Sequence, residues 1–160
     1  MNTLMQDANA QQLAYHQRRQ RVPGWQDLVQ VLLSGVLESA EGEDGRQFLR
    51  LMGGNLATRH PLPACRTVGE LEDALNRLLA DFDWGEVRLE PGERDLALTH
   101  LAWPQVPQGD RAQWQAGFSA LLEGAYAVWL QAQGGQPQVP LRSEGTDAQG
   151  ALRFRYHNGR

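Results

Sequence analysis

The feature that most constrains this chain is the period of its apolar residues, which switches three times between helical and strand spacing. Trp25, Leu28, Val29, Leu32, Leu33, Val36, Leu37 and Ala40 follow the i, i+3, i+4, i+7 rule of a helix with one apolar face. Leu71, Leu75, Leu78, Leu79 and Phe82 repeat that rule. The period then drops to 2, with Val87 and Leu89 alternating with Glu86, Arg88 and Glu90. After Pro91-Gly92, Leu96 and Leu98 alternate with Ala97 and Thr99, which predicts a β-hairpin. A long helical stripe returns through Trp114, Phe118, Leu121, Leu122, Ala125, Trp129 and Ala132. The tail predicts a second hairpin: Val139 and Leu141, a Gly-rich loop from Glu144 to Gly150, then Leu152, Phe154 and Tyr156 alternating with arginines and His157. Helices and antiparallel hairpins without βαβ alternation indicate an α+β domain: N-terminal helices, hairpin, long helix, and a C-terminal hairpin completing an antiparallel sheet.

Local punctuation refines this order. Residues 1–22 are rich in Gln, Asn and Arg with weak periodicity, and Pro23-Gly24 closes them off. They are expected to form a frayed helix or mobile arm, leaving 23–160 as a single domain. Gly42 stops the next helix, and Asp44 with Gln47 predicts a variant capping box for a third. In that third helix Phe48, Met52 and Leu56 mark the expected buried face, with Leu49 beside them. Gly53-Gly54 within it reads either as a break, at about 1 kcal/mol per glycine relative to alanine, or as a close approach to another helix. Thr67-Val68-Gly69-Glu70 is a capping box, Asp110 is the expected cap of the long helix, and Gly134-Gly135 its stop. Pro140 confines its strand to an edge or bulge.

Several kinds of chemistry find no support. The chain of 160 residues carries a net charge of −4, and all 15 of its basic side chains are arginine. It lacks the basic stripe of a nucleic-acid binder, apart from Arg18, Arg19 and Arg21. Without lysine it cannot supply a phosphate-binding Gly-Lys-Ser/Thr loop. Ser119 sits outside any Gly-x-Ser-x-Gly elbow. His16, His60, His100 and His157 are widely separated, and Cys65 stands alone, so neither metal spacing nor a disulfide is available. Cys65 is expected to be a buried structural thiol. The acids Asp44, Glu70, Glu90 and Asp110 fall at caps, turns or polar strand faces. No catalytic residue, metal or cofactor is assigned. Met1 to Gln12 hold no apolar run of signal-peptide length, and Leu28 to Leu37 are too short and polar to span a bilayer, so a cytoplasmic protein is expected.

Contact candidates remain. Trp25 opens one apolar face and Trp84 ends another, and both are expected to pack. Trp103, in a proline-flanked loop, is the tryptophan expected to be partly exposed. Arg18, Arg19, Arg21, Trp25 and Trp103 are the candidates for contact with a sugar chain or partner. On the long helix Tyr126 and Leu130 fall off the main stripe, alongside Ala127 and Val128, which predicts an exposed apolar patch. Tyr126, Trp129 and Leu130 are the candidates for an oligomer interface.

Longer strings carry a resemblance. Pro61-Leu62-Pro63-Ala64-Cys65-Arg66-Thr67-Val68, Leu75-Asn76-Arg77-Leu78-Leu79-Ala80, Trp84-Gly85-Glu86-Val87-Arg88-Leu89-Glu90, His100, Pro104-Gln105-Val106 and Leu122-Glu123-Gly124-Ala125-Tyr126-Ala127-Val128-Trp129 together resemble the D-subunit family of bacterial cellulose synthase. The resemblance covers roughly residues 25–140. It implies a homo-octamer, a tetramer of dimers, acting without catalysis as a scaffold for export and crystallisation of glucan chains. It further implies association with the inner-membrane cellulose synthase complex and a proline-rich accessory protein. A looser likeness of architecture, to small-molecule-binding domains of the 4-vinyl-reductase type, implies the alternative of a ligand-binding regulatory module.

Overall fold

A computed structural model describes residues 2–19, 24–39, 42–106, 111–134 and 140–157. The expected contributions of Ala40, Asp110 and Val139, and the contact candidate Arg21, lie outside the described residues. Along the chain run α1 (Asn2–Arg19), α2 (Trp25–Ser39), α3 (Glu43–Arg59), α4 (Val68–Asp81), β1 (Glu86–Pro91), β2 (Asp95–Leu101), α5 (Arg111–Ala132), β3 (Leu141–Thr146) and β4 (Leu152–His157). The strands form one antiparallel sheet in the order β1-β2-β4-β3. This is the α+β architecture that the three period switches predict.

The sheet turns Val87, Leu89, Leu98, His100, Leu152 and Phe154 inward, all of them buried. Its strand alternation sends Glu86, Arg88 and Glu90 to the other face. Pro140 precedes β3, which is an edge strand with a register shift between Ser143 and Thr146. That shift admits Glu144 and Gly145 to the strand, so the expected Gly-rich loop is shorter than the sequence implies.

α5 is the central element, lying between α3 and the sheet. Gly53 of α3 and Gly124 of α5 make that position possible. A Cβ at Gly53 would overlap the Leu121 carbonyl, and one at Gly124 would overlap the Arg50 carbonyl. The two glycines therefore mark close backbone approach, and α3 runs unbroken through them. Its buried face is Gly45, Leu49, Gly53 and Ala57, while Phe48 is half exposed. The expected Phe48-Met52-Leu56 face is thus corrected: the smaller side chains turn inward because backbones meet there. The Asp44 capping box is also corrected, since Gly42 is the N-cap and no side chain caps it. At α4 the expected box forms, shifted by one residue: Thr67 Oγ1 accepts from Glu70 N at 3.1 Å, and Glu70 Oε2 accepts from Arg66 N at 2.7 Å. Cys65 is half-buried rather than buried, because it lies in an extended stretch over the end of α5.

Candidate functional site

α5 carries its apolar side chains inward on both sides. Tyr126 and Trp129 have 0% and 1% of their surface exposed, and Leu130 5%. The expected exposed patch on α5 is therefore corrected. Tyr126 packs on Phe154 of the sheet at a ring separation of 5.4 Å, and the Trp129 indole N–H donates to the His60 carbonyl at 2.9 Å. Two partners, sheet and α3, use up a helix surface that reads as too apolar for one.

Trp103 is corrected likewise. It is 4% exposed, stacks on Phe118 and donates from its indole N–H to the Gly150 carbonyl at 2.9 Å. The proline-flanked loop folds back over the first half of α5, as the Trp114 N–H to the Pro104 carbonyl at 2.8 Å also shows. Trp84, expected to pack, does so at Phe118. The space between α5 and the sheet is filled by these interlocked rings.

Trp25 behaves in the opposite way. It is 69% exposed, and Leu28, Val29 and Leu32 continue the same stripe along α2 outward into solvent, with Val31 next to it. What α2 turns to the body is Gln26, Gln30, Leu33 and the part-buried Val36 and Leu37. The Gln26 amide donates to the Gln105 carbonyl at 3.0 Å, and Leu33 sits where a Cβ on Gly117 would be. α2 thus packs through a face that mixes Gln26 and Gln30 with Leu33, Val36 and Leu37, and leaves Leu28, Val29 and Leu32 largely in solvent. The expectation that Trp25 packs within the chain is overturned by this orientation. α3 adds exposed Phe48 and Leu51, and α1 exposes Leu4, Met5, Leu13 and Tyr15.

Two depressions flank this surface. One of about 210 Å³ is walled by Trp25 and Val29 against Phe82, Trp84 and Pro104. The other, about 1000 Å³, runs between α1 and the body and is lined by amide side chains, including Asn9, Gln17, Gln105 and Gln149, with Arg88 and Arg111. Arg18 and Arg19 end α1, where the Arg19 guanidinium lies over the Tyr15 ring. The structure thus brings Trp25 to an exposed face and sets Trp103 into the core. It does not bring Trp25 and Trp103 to one exposed surface.

One buried polar group escapes sequence reasoning. His100 is fully buried, with Nε2 2.6 Å from the Trp84 carbonyl and Nδ1 2.5 Å from the Tyr126 hydroxyl. A carbonyl only accepts, so Nε2 carries the proton and Nδ1 accepts from Tyr126. Burial holds the imidazole neutral by lowering its pKa from 6.5 to about 4, against the smaller opposing effect of the Trp84 carbonyl. Burial likewise pushes the Tyr126 phenol well above its ordinary value. No solvent reaches the pair, so its role is to fix β2 against α5. Only the inward phase of His100 on β2 hints at it in the sequence.

Among the described residues no helix is long and apolar enough to cross a membrane. The family model for the D subunit of cellulose synthase matches residues 11–157, wider at both ends than the resemblance drawn from residues 25–140. A cellulose synthase operon protein D of Komagataeibacter xylinus is 35% identical over 108 residues, covering 64% of this chain and 67% of the relative. A second from that species is 33% identical over 117 residues, covering 71% of this chain and 73% of its own length. A protein of the same name from Komagataeibacter sucrofermentans matches with the same identity and coverage.

Proposed function

Because the chain belongs to the D-subunit family of cellulose synthase, we propose that it is a non-catalytic, self-assembling accessory subunit of bacterial cellulose synthesis. It associates with the cellulose synthase complex at the cytoplasmic side of the membrane and organises the export and crystallisation of nascent glucan chains. Its assembled form is a closed homo-octamer, a tetramer of dimers.

The observation that carries this reading is the part of the α2 stripe left uncovered. Trp25, Leu28, Val29 and Leu32 turn to solvent while Gln26 and Gln30 share the inward face with Leu33, Val36 and Leu37, an arrangement unfavourable for an isolated protomer and suited to a seam between copies. Closed symmetry lets every copy bury the same stripe. The ring-filled interior favours a scaffold over a pocket-bearing module. α1 fits the same picture: an 18-residue helix with little apolar burial of its own is marginal in water, and assembly gives it a covering surface. Residues 1–22 then act as an arm on a domain formed by 23–160. The amide-lined groove beside α1 offers donors and acceptors for glucan hydroxyls, with Arg18, Arg19 and Arg21 nearby in sequence. The aromatic cleft at Trp25 suits a proline-rich partner, because such segments dock between aromatic rings in a preformed extended helix.

Light scattering coupled to size exclusion tests the assembly. The full chain is expected at the mass of an octamer, and Leu28→Glu with Leu32→Glu at the mass of a smaller species with unchanged far-UV dichroism. Cells carrying only the double variant are expected to make cellulose of reduced crystallinity. A monomeric wild-type chain across micromolar concentrations defeats the proposal.

A further inference from the structure

The two hairpins leave β1 at an open edge of the sheet. An edge strand normally presents a row of N–H and C=O groups ready to pair with another chain. In β1 the groups directed away from β2 alternate along the strand, at Val87, Leu89 and Pro91. Asn76 of α4 meets Val87 with both ends of its amide: Nδ2 donates to the Val87 carbonyl at 2.9 Å, and Oδ1 accepts from Val87 N at 2.7 Å. Glu72 Oε2 accepts from Leu89 N at 2.8 Å. Pro91 has no N–H to give. Every outward donor of β1 is thus either occupied or absent.

The match has a simple geometrical basis. Residues four apart on a helix are separated by about 6 Å along its axis, and residues two apart on a strand by about 6.7 Å. α4 runs antiparallel to β1, so Asn76 faces Val87 and Glu72 faces Leu89. The next helical step is Val68, which carries no polar side chain, and the next strand step is Pro91, which needs none. At the opposite edge, Glu123 of α5 performs one such contact, its Oε2 accepting from Ser143 N at 3.2 Å while Oε1 is held by Arg50 at 2.9 Å.

We propose that Glu72 and Asn76 are a side-chain substitute for a fifth strand, closing the β1 edge so that copies of the chain join through helices and not by extension of the sheet. The direction in which copies join rests on the self-assembly reading above; the closed edge itself belongs to the single protomer. Asn76→Ala frees both polar groups of Val87, and Glu72→Ala frees the amide of Leu89. In the full chain, hydrogen exchange resolved at single amides is expected to accelerate about tenfold at Val87 in the first variant and at Leu89 in the second. Glu72→Gln keeps an acceptor and is expected to exchange as wild type does, while Asn76→Asp, which keeps the acceptor and loses the donor, retains protection at the Val87 amide. The double alanine variant is expected to form concentration-dependent, thioflavin-binding assemblies, and Val68→Ala on the same helix is not. Wild-type exchange at both amides in the double variant, measured at a concentration where it binds no thioflavin, overturns the closed edge. Equal thioflavin binding by Val68→Ala, compared at matched distance below each melting temperature, assigns the effect to lost stability and overturns the guarding role. Failure of the wild-type chain to assemble at all would leave the exchange result standing and remove only the self-assembly reading.

Discussion

α2 and α5 both carry strong apolar stripes, and the fold covers them to very different extents. α5 is apolar nearly all round, and every large apolar side chain on its Tyr126 and Trp129 flanks is covered. α2 is cleanly amphipathic, and the part of its stripe formed by Trp25, Leu28, Val29 and Leu32 remains largely in solvent. Apolar surface predicts burial only when something of the same chain is available to lie on it. α5 is covered because the sheet takes one flank and the glycine-paired α3 takes another. α2 meets the body at Gln26, Gln30, Leu33 and the part-buried Val36 and Leu37, so Leu28, Val29 and Leu32 are left largely in solvent. The difference between the helices is therefore one of available neighbours, and it separates a core element from a candidate seam.

The sharpest way to break the comparison is to deny α5 its neighbour. Gly124→Leu must displace the Arg50 backbone, which no rotamer change accommodates. The expected loss is about 3 kcal/mol or more, read as a large fall in the midpoint of urea unfolding. Gly35→Leu in α2, where nothing lies within 4 Å of the place a Cβ would take, is expected to leave the fold intact. Equal tolerance at both positions would mean that α3 and α5 are not in backbone contact.

Acid tests the inner flank of α5. The folded chain keeps His100 neutral down to about pH 4, whereas the unfolded chain protonates it near 6.5. Between those values the unfolded state binds more protons, so stability rises with pH and is lost as pH falls. The contribution is complete above pH 6.5 and is expected to shrink by about 3 kcal/mol on approaching pH 4. Glu43 and Glu144, whose arginine partners hold them below the ordinary carboxylate range, lose their contribution beneath that window. A His100→Gln chain with a flat stability profile between pH 6.5 and 4.5 is the expected contrast. An unchanged slope in that variant would assign the acid effect to other groups.

Much of this was legible because it depends on local period. The four strands, the α4 cap at Thr67 and the helical order follow from spacing that a neighbour cannot change. What the sequence left open depends on who sits opposite. Gly53 and Gly124 are ambiguous singly and informative only as a facing pair. Phe48 outweighs Gly45 and Gly53 in any hydrophobic pattern, yet the glycines turn inward because two backbones meet. Trp103 and Trp25 exchanged their expected environments for a related reason. The loop after β2 folds back on α5 and covers Trp103, while α2 docks through the neighbouring face of Gln26 and Leu33 and leaves Trp25 exposed. Asn76 and Glu72 look like solvated helix polarity until β1 is placed beside them.

The gentlest test uses two adjacent leucines. Leu33 is buried against α5, and a Cβ on Gly117 would overlap its side chain. Leu32 is 60% exposed one residue away. Leu33→Ala removes packed methyl groups and is expected to cost about 2–5 kcal/mol in the protomer. Leu32→Ala removes area that the protomer never buries, so its expected effect on the protomer is within about 0.5 kcal/mol. In the proposed assembly, contacts between copies would add to apparent stability in proportion to concentration. The comparison is therefore made across a dilution series. For Leu33→Ala the deficit is expected to persist at every concentration. For Leu32→Ala it is expected to vanish on dilution and to grow as the wild-type chain assembles. A Leu32→Ala deficit independent of concentration would place Leu32 inside the protomer's own packing, and the distinction between α2 and α5 would then fail.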